Sequence, residues 1–239
     1  MVGEFKLYGT DDPRDIPAYG MSEASRYLGI PVSTLRSWTV GQPYRFKGRE
    51  HFFAPVIEIA DPSRRFLSFW NLFEAYICDA LRHEHNISLQ KIRAAIQLVK
   101  KIDRDSKHPL AEAQFATAGL ELFIEEYEHI IGTSSGQLGI RAILERYLKR
   151  VDRDKFGRVA RLYPFTRSTR TADSPRVVVI DPLVLFGRPV ISGTRIATAV
   201  VYERWKAGES VPNLADDYQR LPDEIEEALR CEHTSVKAA

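Results

Sequence analysis

At 239 residues the chain is longer than one typical domain and long enough for two or three, each able to bury a core. Its 44% apolar and 28% charged residues are those of an ordinary globular protein, which excludes wholesale disorder, and its net charge of +2 hides sharp changes of sign along the chain. No run approaches the ~18–20 apolar residues of a membrane helix, the start with Glu4, Asp11 and Asp12 is unlike an export signal, and Cys78 and Cys231 form no short-spaced pair. A cytoplasmic protein without membrane contact, disulfide framework or Cys-rich zinc site is expected.

In chain order, Ser22 reads as the N-cap of a helix with Ala24, Tyr27 and Leu28 inward and Gly29 at its end. Ile30-Pro31-Val32 turns the chain, and Ser33 reads as the cap of a second helix from Thr34 to about Val40, with Leu35 and Trp38 inward. Two short helices joined by a tight turn predict a helix-turn-helix. After Gly41-Gln42-Pro43, the basic and aromatic stretch from Tyr44 to Phe53 predicts a two-stranded wing turned at Gly48. Ser68 opens the most periodic segment, with Phe69, Leu72, Phe73, Tyr76, Ile77, Ala80 and Leu81 on one helical face. Ser88 starts another helix, with Leu89, Ile92, Ile96 and Val99 inward, and it runs out near Asp103.

Gln114 to Ile131, broken at Gly119 and Gly132, favours short strands. Gln137 to Val151 is again helical, with Ile140, Ile143, Leu144, Tyr147, Leu148 and Val151 inward, Arg158 to Phe165 reads as a strand, and Arg167 to Pro175 as a linker. Val177 to Ile180 and Val190-Ile191 suggest a short hairpin. Helices follow from Thr198 to Ala207, after the cap Ser210, and from Pro222 to Arg230. The fold class is therefore mainly α with small β elements (α+β). It comprises an N-terminal winged helix-turn-helix over residues 1–105, a small middle α+β unit over 106–170 and a C-terminal winged-helix-like domain over 171–239.

Chemistry separates the two ends. Residues 22–50 hold five Lys/Arg against two acids, and the outer side of the second helix offers Ser33, Thr34, Arg36 and Ser37 to base edges and phosphates. Tyr44, Arg45, Lys47 and Arg49 of the wing would meet the flanking DNA backbone. The alternative is a helical pair with an ordinary solvated face. Residues 208–232 hold eight acids against two arginines, and Asp223, Glu224, Glu226 and Glu227 on the last helix would repel DNA. That helix is either a well-capped solvated surface or a contact for a protein or a second copy, with Glu224 and Glu227 the contact candidates.

Residues 141–170 hold ten Lys/Arg against three acids; Arg146, Arg150, Arg153, Arg158 and Arg161 form either a solvated face, the favoured reading, or an auxiliary phosphate-contacting surface. Gly132-Thr133-Ser134-Ser135-Gly136 spells the G-x-S-x-G of a nucleophile elbow, but the only histidine after it is His233 and no oxyanion segment precedes it. His83-Glu84-His85 lacks the spacing of a helical zinc site. No catalytic residue, metal or cofactor is assigned.

The stretch Tyr19-Gly20-Met21-Ser22-Glu23-Ala24-Ser25-Arg26-Tyr27-Leu28-Gly29-Ile30-Pro31, continuing Ser33-Thr34-Leu35-Arg36-Ser37-Trp38, resembles the MerR-like helix-turn-helix. Ile180-Asp181-Pro182, Gly187-Arg188-Pro189-Val190-Ile191-Ser192-Gly193-Thr194-Arg195-Ile196 and Leu214-Ala215-Asp216-Asp217-Tyr218 resemble the domain of unknown function 433. Together they resemble VapB-type antitoxins. The resemblance implies a non-enzymatic repressor of its own operon, bound to operator DNA and to a PIN-domain ribonuclease toxin of the VapC type. It implies a homodimer or a toxin–antitoxin hetero-oligomer, with Arg188 and Arg195 at the toxin contact; Arg195 either packs structurally or reaches the toxin's acidic site. The alternatives are a MerR-like transcriptional regulator with no toxin, using its middle region for an effector, and a purely structural interaction module.

Overall fold

The computed structural model describes residues 12–85, 89, 92–94, 96, 97, 107, 108, 110, 111 and 135–233. Helices and three two-stranded antiparallel sheets make a mixed α+β fold among them. α1 (Met21–Leu28) and α2 (Val32–Thr39) form the helix-turn-helix, with Ala24, Tyr27, Leu28, Ile30, Leu35 and Trp38 buried between and beneath them. Both expected caps are displaced. Gly20 precedes α1, and its N–H donates to the Glu23 carboxylate at 3.3 Å, so Ser22 sits exposed in the first turn. Pro31 precedes α2, its carbonyl accepting from the Leu35 N–H at 3.0 Å, because its ring fixes φ just ahead of the helix. Ser33 thereby moves from a cap to the exposed first turn.

β1 (Gln42–Phe46) pairs with β2 (Arg49–Phe53), Phe46 opposite Arg49. The two residues between them, Lys47 and Gly48, both have positive φ (49° and 76°), the geometry whose twist matches a hairpin. The expected wing is present.

α3 (Phe69–His85) is the central element. Ser68 caps it, its Oγ accepting from the Asn71 N–H at 3.3 Å. Asn71 Oδ1 also accepts from the Ala60 and Ser68 N–H groups, and its amide donates to the Glu58 carbonyl, which pins the loop before the helix. The apolar stripe read from the sequence is buried, but so is every other residue from Leu67 to Leu81. A helix covered all round must partner its charged groups: Glu74 meets His108 at 3.2 Å and Asp79 meets Arg170.

Ile92 and Ile96 are buried as expected; Ser88, Val99 and the strands expected over 114–131 lie outside the described residues, as do Gly132, Thr133 and Ser134. α4 (Ser135–Leu148) turns Ile143, Leu144 and Tyr147 inward. Val151 belongs instead to β3 (Val151–Arg153), which pairs with β4 (Val159–Leu162). A bridge from Leu162 to Ile180 joins this hairpin to β5 (Val178–Val179), and β5 pairs with β6 (Val190–Ile191). α5 (Thr198–Lys206), α6 (Val211–Tyr218) and α7 (Pro222–His233) close the chain, with Ser210 capping α6 through the Asn213 N–H at 3.3 Å. Their own small core contains Ile191, Val201, Leu214, Ile225 and Ala228, whereas the main core runs from Tyr19 through α3 to Ile180 and Cys231.

Arg14, in the short 3₁₀ turn Pro13–Asp15, joins the start of the described chain to the β3–β4 hairpin by donating to Asp154 at 2.8 Å and the Val159 carbonyl at 3.1 Å. Burial would raise the pKa of Asp12 and Asp154; hydrogen bonds from Arg14, joined at Asp154 by those of the Arg158 and Phe156 N–H groups, together outweigh it and hold both below the ordinary value. Depressed carboxylates stabilise the fold above their unfolded pKa, roughly pH 4, and that contribution is lost as pH falls through the folded values. In acid titration of stability, Arg14→Ala should flatten the profile below roughly pH 4; an unaltered acid slope would refute this coupling.

Candidate functional site

The outer side of α2 and the wing each expose basic side chains. Ser33 and Arg36 are exposed, Thr34 and Ser37 half-buried, and the Ser37 hydroxyl donates to the Thr34 carbonyl at 3.0 Å. Opposite them Leu35, Trp38 and Thr39 anchor α2 in the core. Arg45, Lys47 and Arg49 are exposed. Arg45 pairs with Glu50 at 3.4 Å, but both side chains are about four-fifths in solvent (80% and 78%). Such a pair contributes little and is readily exchanged for a phosphate. The Tyr44 ring stacks on Phe53 at 4.0 Å and His51 at 5.2 Å, stiffening the wing.

Gly41 sets the angle of the wing. Its φ is +87°, and an added Cβ would run into the Phe53 carbonyl oxygen and the Phe52 ring. Gly41→Ala should destabilise the protein by about 1–3 kcal/mol and weaken retardation of DNA more than loss of fold explains. Unchanged melting temperature and DNA affinity would show that the wing does not depend on this contact.

Part of the basic run turns inward, while Lys149, Lys155, Arg161 and Arg167 stay exposed. Arg150 is buried and donates to the carbonyls of Tyr163, Pro164, Ser174 and Pro175 at 2.7–3.0 Å, with Phe165 stacked 4.4 Å from its guanidinium. Arg146 donates to the Arg170 carbonyl at 2.6 Å, Arg153 to the Gly157 carbonyl at 2.6 Å and Arg161 to Asp181 at 2.7 Å. Arg158 is half-buried and lies 5.7 Å from the Phe156 ring. These cations hold the chain together because the surrounding segments offer them carbonyls and carboxylates. The stretch expected to be a linker is accordingly fastened down: Arg170 meets Asp79, the Tyr147 hydroxyl at 2.6 Å and the Leu28 carbonyl at 3.3 Å.

The C-terminal region is fixed to α1. Tyr19 donates its hydroxyl to the Gly187 carbonyl at 3.0 Å, Arg188 pairs with Glu23, and Arg26 pairs with Glu232 at 3.1 Å. Burial and the nearby Glu232 charge push the Tyr27 hydroxyl up to about 12. Arg188 is therefore engaged within the chain, while Arg195 is exposed at the rim of a hollow of about 460 Å³ shared with Arg161 and Tyr163. Glu224 is half-buried; it accepts from the Leu221 N–H at 2.9 Å and pairs with Arg220. Glu227 is 1% exposed and receives Thr166, Arg167 and Arg230. Its carboxylate faces the interior, not a partner. Among the described residues no group of three or more His, Cys, Asp or Glu side chains is placed to hold a metal, and no helix is long and apolar enough to cross a membrane.

Sequence reading missed Arg150, Arg170, Glu227 and Tyr19 as organising residues. Their partners lie far away in sequence, so no local pattern marks them.

Residues 17–96 match the family described as "Putative DNA-binding HTH domain", and residues 178–230 match "Protein of unknown function (DUF433)". Each end of the chain matches one family model. The DUF433 domain thus spans β5 to α7, and the helix-turn-helix domain spans α1, α2, the wing and α3. The chain is 29% identical over 235 residues to "Putative antitoxin VapB45" of Mycobacterium tuberculosis, covering 90% of this chain and 93% of that protein. It is 22% identical over 225 residues to the uncharacterized protein Rv2308 of the same organism, covering 90% of each. The crystal structure of Rv2018 from M. tuberculosis superposes with a TM-score of 0.66 at 27% identity, covering 90% of this chain and 98% of that one. The chain resembles VapB-type antitoxins along nearly its whole length. These assignments point to a non-enzymatic regulator with a DNA-binding domain.

Proposed function

We propose that this chain binds and neutralises a cognate PIN-domain ribonuclease toxin of the VapC type and represses its own operon through the helix-turn-helix. The observation that carries the reading is similarity to a named antitoxin over nine-tenths of the chain, spanning the helix-turn-helix and the DUF433 domain alike. In this reading residues 1–105 bind operator DNA, residues 106–170 connect, and residues 171–239 meet the toxin. Ser33, Thr34 and Arg36 face base edges or phosphates; Arg45, Lys47 and Arg49 hold the flanking backbone.

The exposed basic side chains of α2 and the wing support the DNA half, and the exposed Arg195 supports the toxin half. A PIN nuclease works with clustered carboxylates around a divalent metal, a site that an arginine complements. Assembly as a homodimer or as a toxin–antitoxin hetero-oligomer fits both halves.

The test is co-expression with the product of the adjacent reading frame, followed by copurification and a gel shift on upstream DNA. The complex should copurify, and Arg36→Ala with Arg45→Ala should weaken DNA binding and reduce its salt dependence. Undiminished affinity of that double variant would remove the DNA assignment. DNA binding with no copurifying nuclease would favour a regulator without a toxin.

A further inference from the structure

The wing leaves and rejoins its domain on the walls of one hollow. Val40, which precedes Gly41 and the first strand of the wing, lines it, and so does Ala54, the first residue after the second strand. The hollow measures about 530 Å³, inside the range of roughly 300–1,000 Å³ usual for small-molecule sites.

Most of its lining is apolar. Val56, Ile57 and Ile59 come from the loop after β2 and Ile96 from the helical residues beyond α3, and the three isoleucines are buried. The walls are held in place by backbone contacts. At the end of α2 the Trp38 carbonyl accepts from the Val56 N–H at 2.7 Å and the Ile57 N–H at 3.0 Å, and the Asn71 amide donates to the Glu58 carbonyl at 2.8 Å.

One donor in this wall is unsatisfied. Arg93 donates through Nη2 to the Ala54 carbonyl, yet its Nε is buried and has no hydrogen-bond partner among the described residues. A buried donor calls for an acceptor, and a guanidinium suits an anionic one that takes two N–H groups at once. Glu58 is the other charged residue on the wall, and it is exposed. The two charges balance in number, but only the arginine donor is cut off from water, so burial selects an acceptor. A bare phosphate would meet Arg93 and leave the isoleucines uncovered, whereas a carboxylate on a hydrocarbon body satisfies both.

The position of Arg93 gives such a ligand a consequence. A carboxylate taking Nε and Nη2 together draws the guanidinium away from the Ala54 carbonyl, where the wing returns to the domain. We propose that this hollow binds a small apolar carboxylate and that its occupation loosens the wing and lowers affinity for DNA. The site stands apart from the antitoxin reading above; its effect on DNA rests on the DNA half of that reading.

The test titrates the ¹⁵N-labelled full-length chain with hexanoate, and with hexanol and hexylamine as its neutral and cationic counterparts. Hexanoate should shift the amide signals of Ala54, Val56 and Ile57 and bind about tenfold more tightly than either counterpart, as a charge-assisted hydrogen bond provides. Arg93→Met should abolish that preference. Ile96→Phe, which keeps Arg93 and fills the hollow, should abolish hexanoate binding. Saturating hexanoate should weaken retardation of upstream DNA about fivefold or more in the wild type and leave Ile96→Phe unaffected. No shift of these signals, or equal or tighter binding of hexanol or hexylamine, overturns the site. Hexanoate binding that leaves retardation unchanged overturns the coupling to the wing. A wild type that retards no upstream DNA even without hexanoate refutes the DNA-binding reading and the coupling together, while the amide shifts still decide the site.

Discussion

Arg170→Ala is expected to lower unfolding free energy by about 3–5 kcal/mol, the loss typical of removing one partner from a buried ion pair. Asp79 is buried within α3, and Arg170 brings it a guanidinium from a segment with no regular secondary structure. Without that cation the Asp79 carboxylate must either stay charged in a poorly solvated site or take up a proton, and both are unfavourable. The Tyr147 hydroxyl and the Leu28 carbonyl lose a donor as well. Because Leu28 ends α1, the damage reaches the helix-turn-helix. Chemical denaturation measures the loss, and a change below about 1 kcal/mol would mean that Asp79 is solvated as an exposed pair is. Arg170→Ala together with Asp79→Asn should recover part of the stability, since the buried charge that lost Arg170 has gone.

Arg150→Ala should reduce stability by about 3 kcal/mol or more, since two buried and two part-buried carbonyls would lose a donor, at about 1–3 kcal/mol for each buried one, partly relieved by water. Unlike Arg170, Arg150 is satisfied mainly by backbone: one guanidinium reaches carbonyls of Tyr163, Pro164, Ser174 and Pro175. It therefore fixes the chain after β4 to the chain before β5. Arg150→Lys should rescue little, because a point-like ammonium has neither the planar fork nor the reach to meet four acceptors. Full stability of the lysine variant would show that charge alone suffices at this position.

These two arginines also show where sequence reading succeeds and where it stops. The helix-turn-helix was legible because its determinants are local: Gly29 ends α1, Pro31 precedes α2, and Leu35 and Trp38 share one face. The wing was legible in Gly48, and the start of α3 in Ser68 and the apolar stripe behind it. The caps of α1 and α2 were misplaced because serine is favoured at that position, while Glu23 reaching back to Gly20 and the fixed φ of Pro31 decided the local outcome.

The arginines of residues 141–170 could not be assigned by charge density. What distinguishes a solvated arginine from a buried one is a set of carbonyls supplied by other segments. Arg170 meets a carboxylate 91 residues away and a carbonyl 142 residues away. Glu227 was read as a surface acid for the same reason: its helix carries acids on several faces, and only packing reveals that it turns inward. Ser33, Arg36, Arg45, Lys47 and Arg49 are exposed and Thr34, Ser37 and Tyr44 half-buried, whereas the left-handed turn at Leu185 and Phe186 left no mark in composition or periodicity.

The antitoxin reading is tested most directly by titrating the full-length chain into a ribonuclease assay of the purified PIN-domain product of the adjacent reading frame. The account predicts that cleavage falls with each addition and reaches background once the chain is in molar excess. Undiminished cleavage in the presence of excess folded chain that still retards upstream DNA would contradict it.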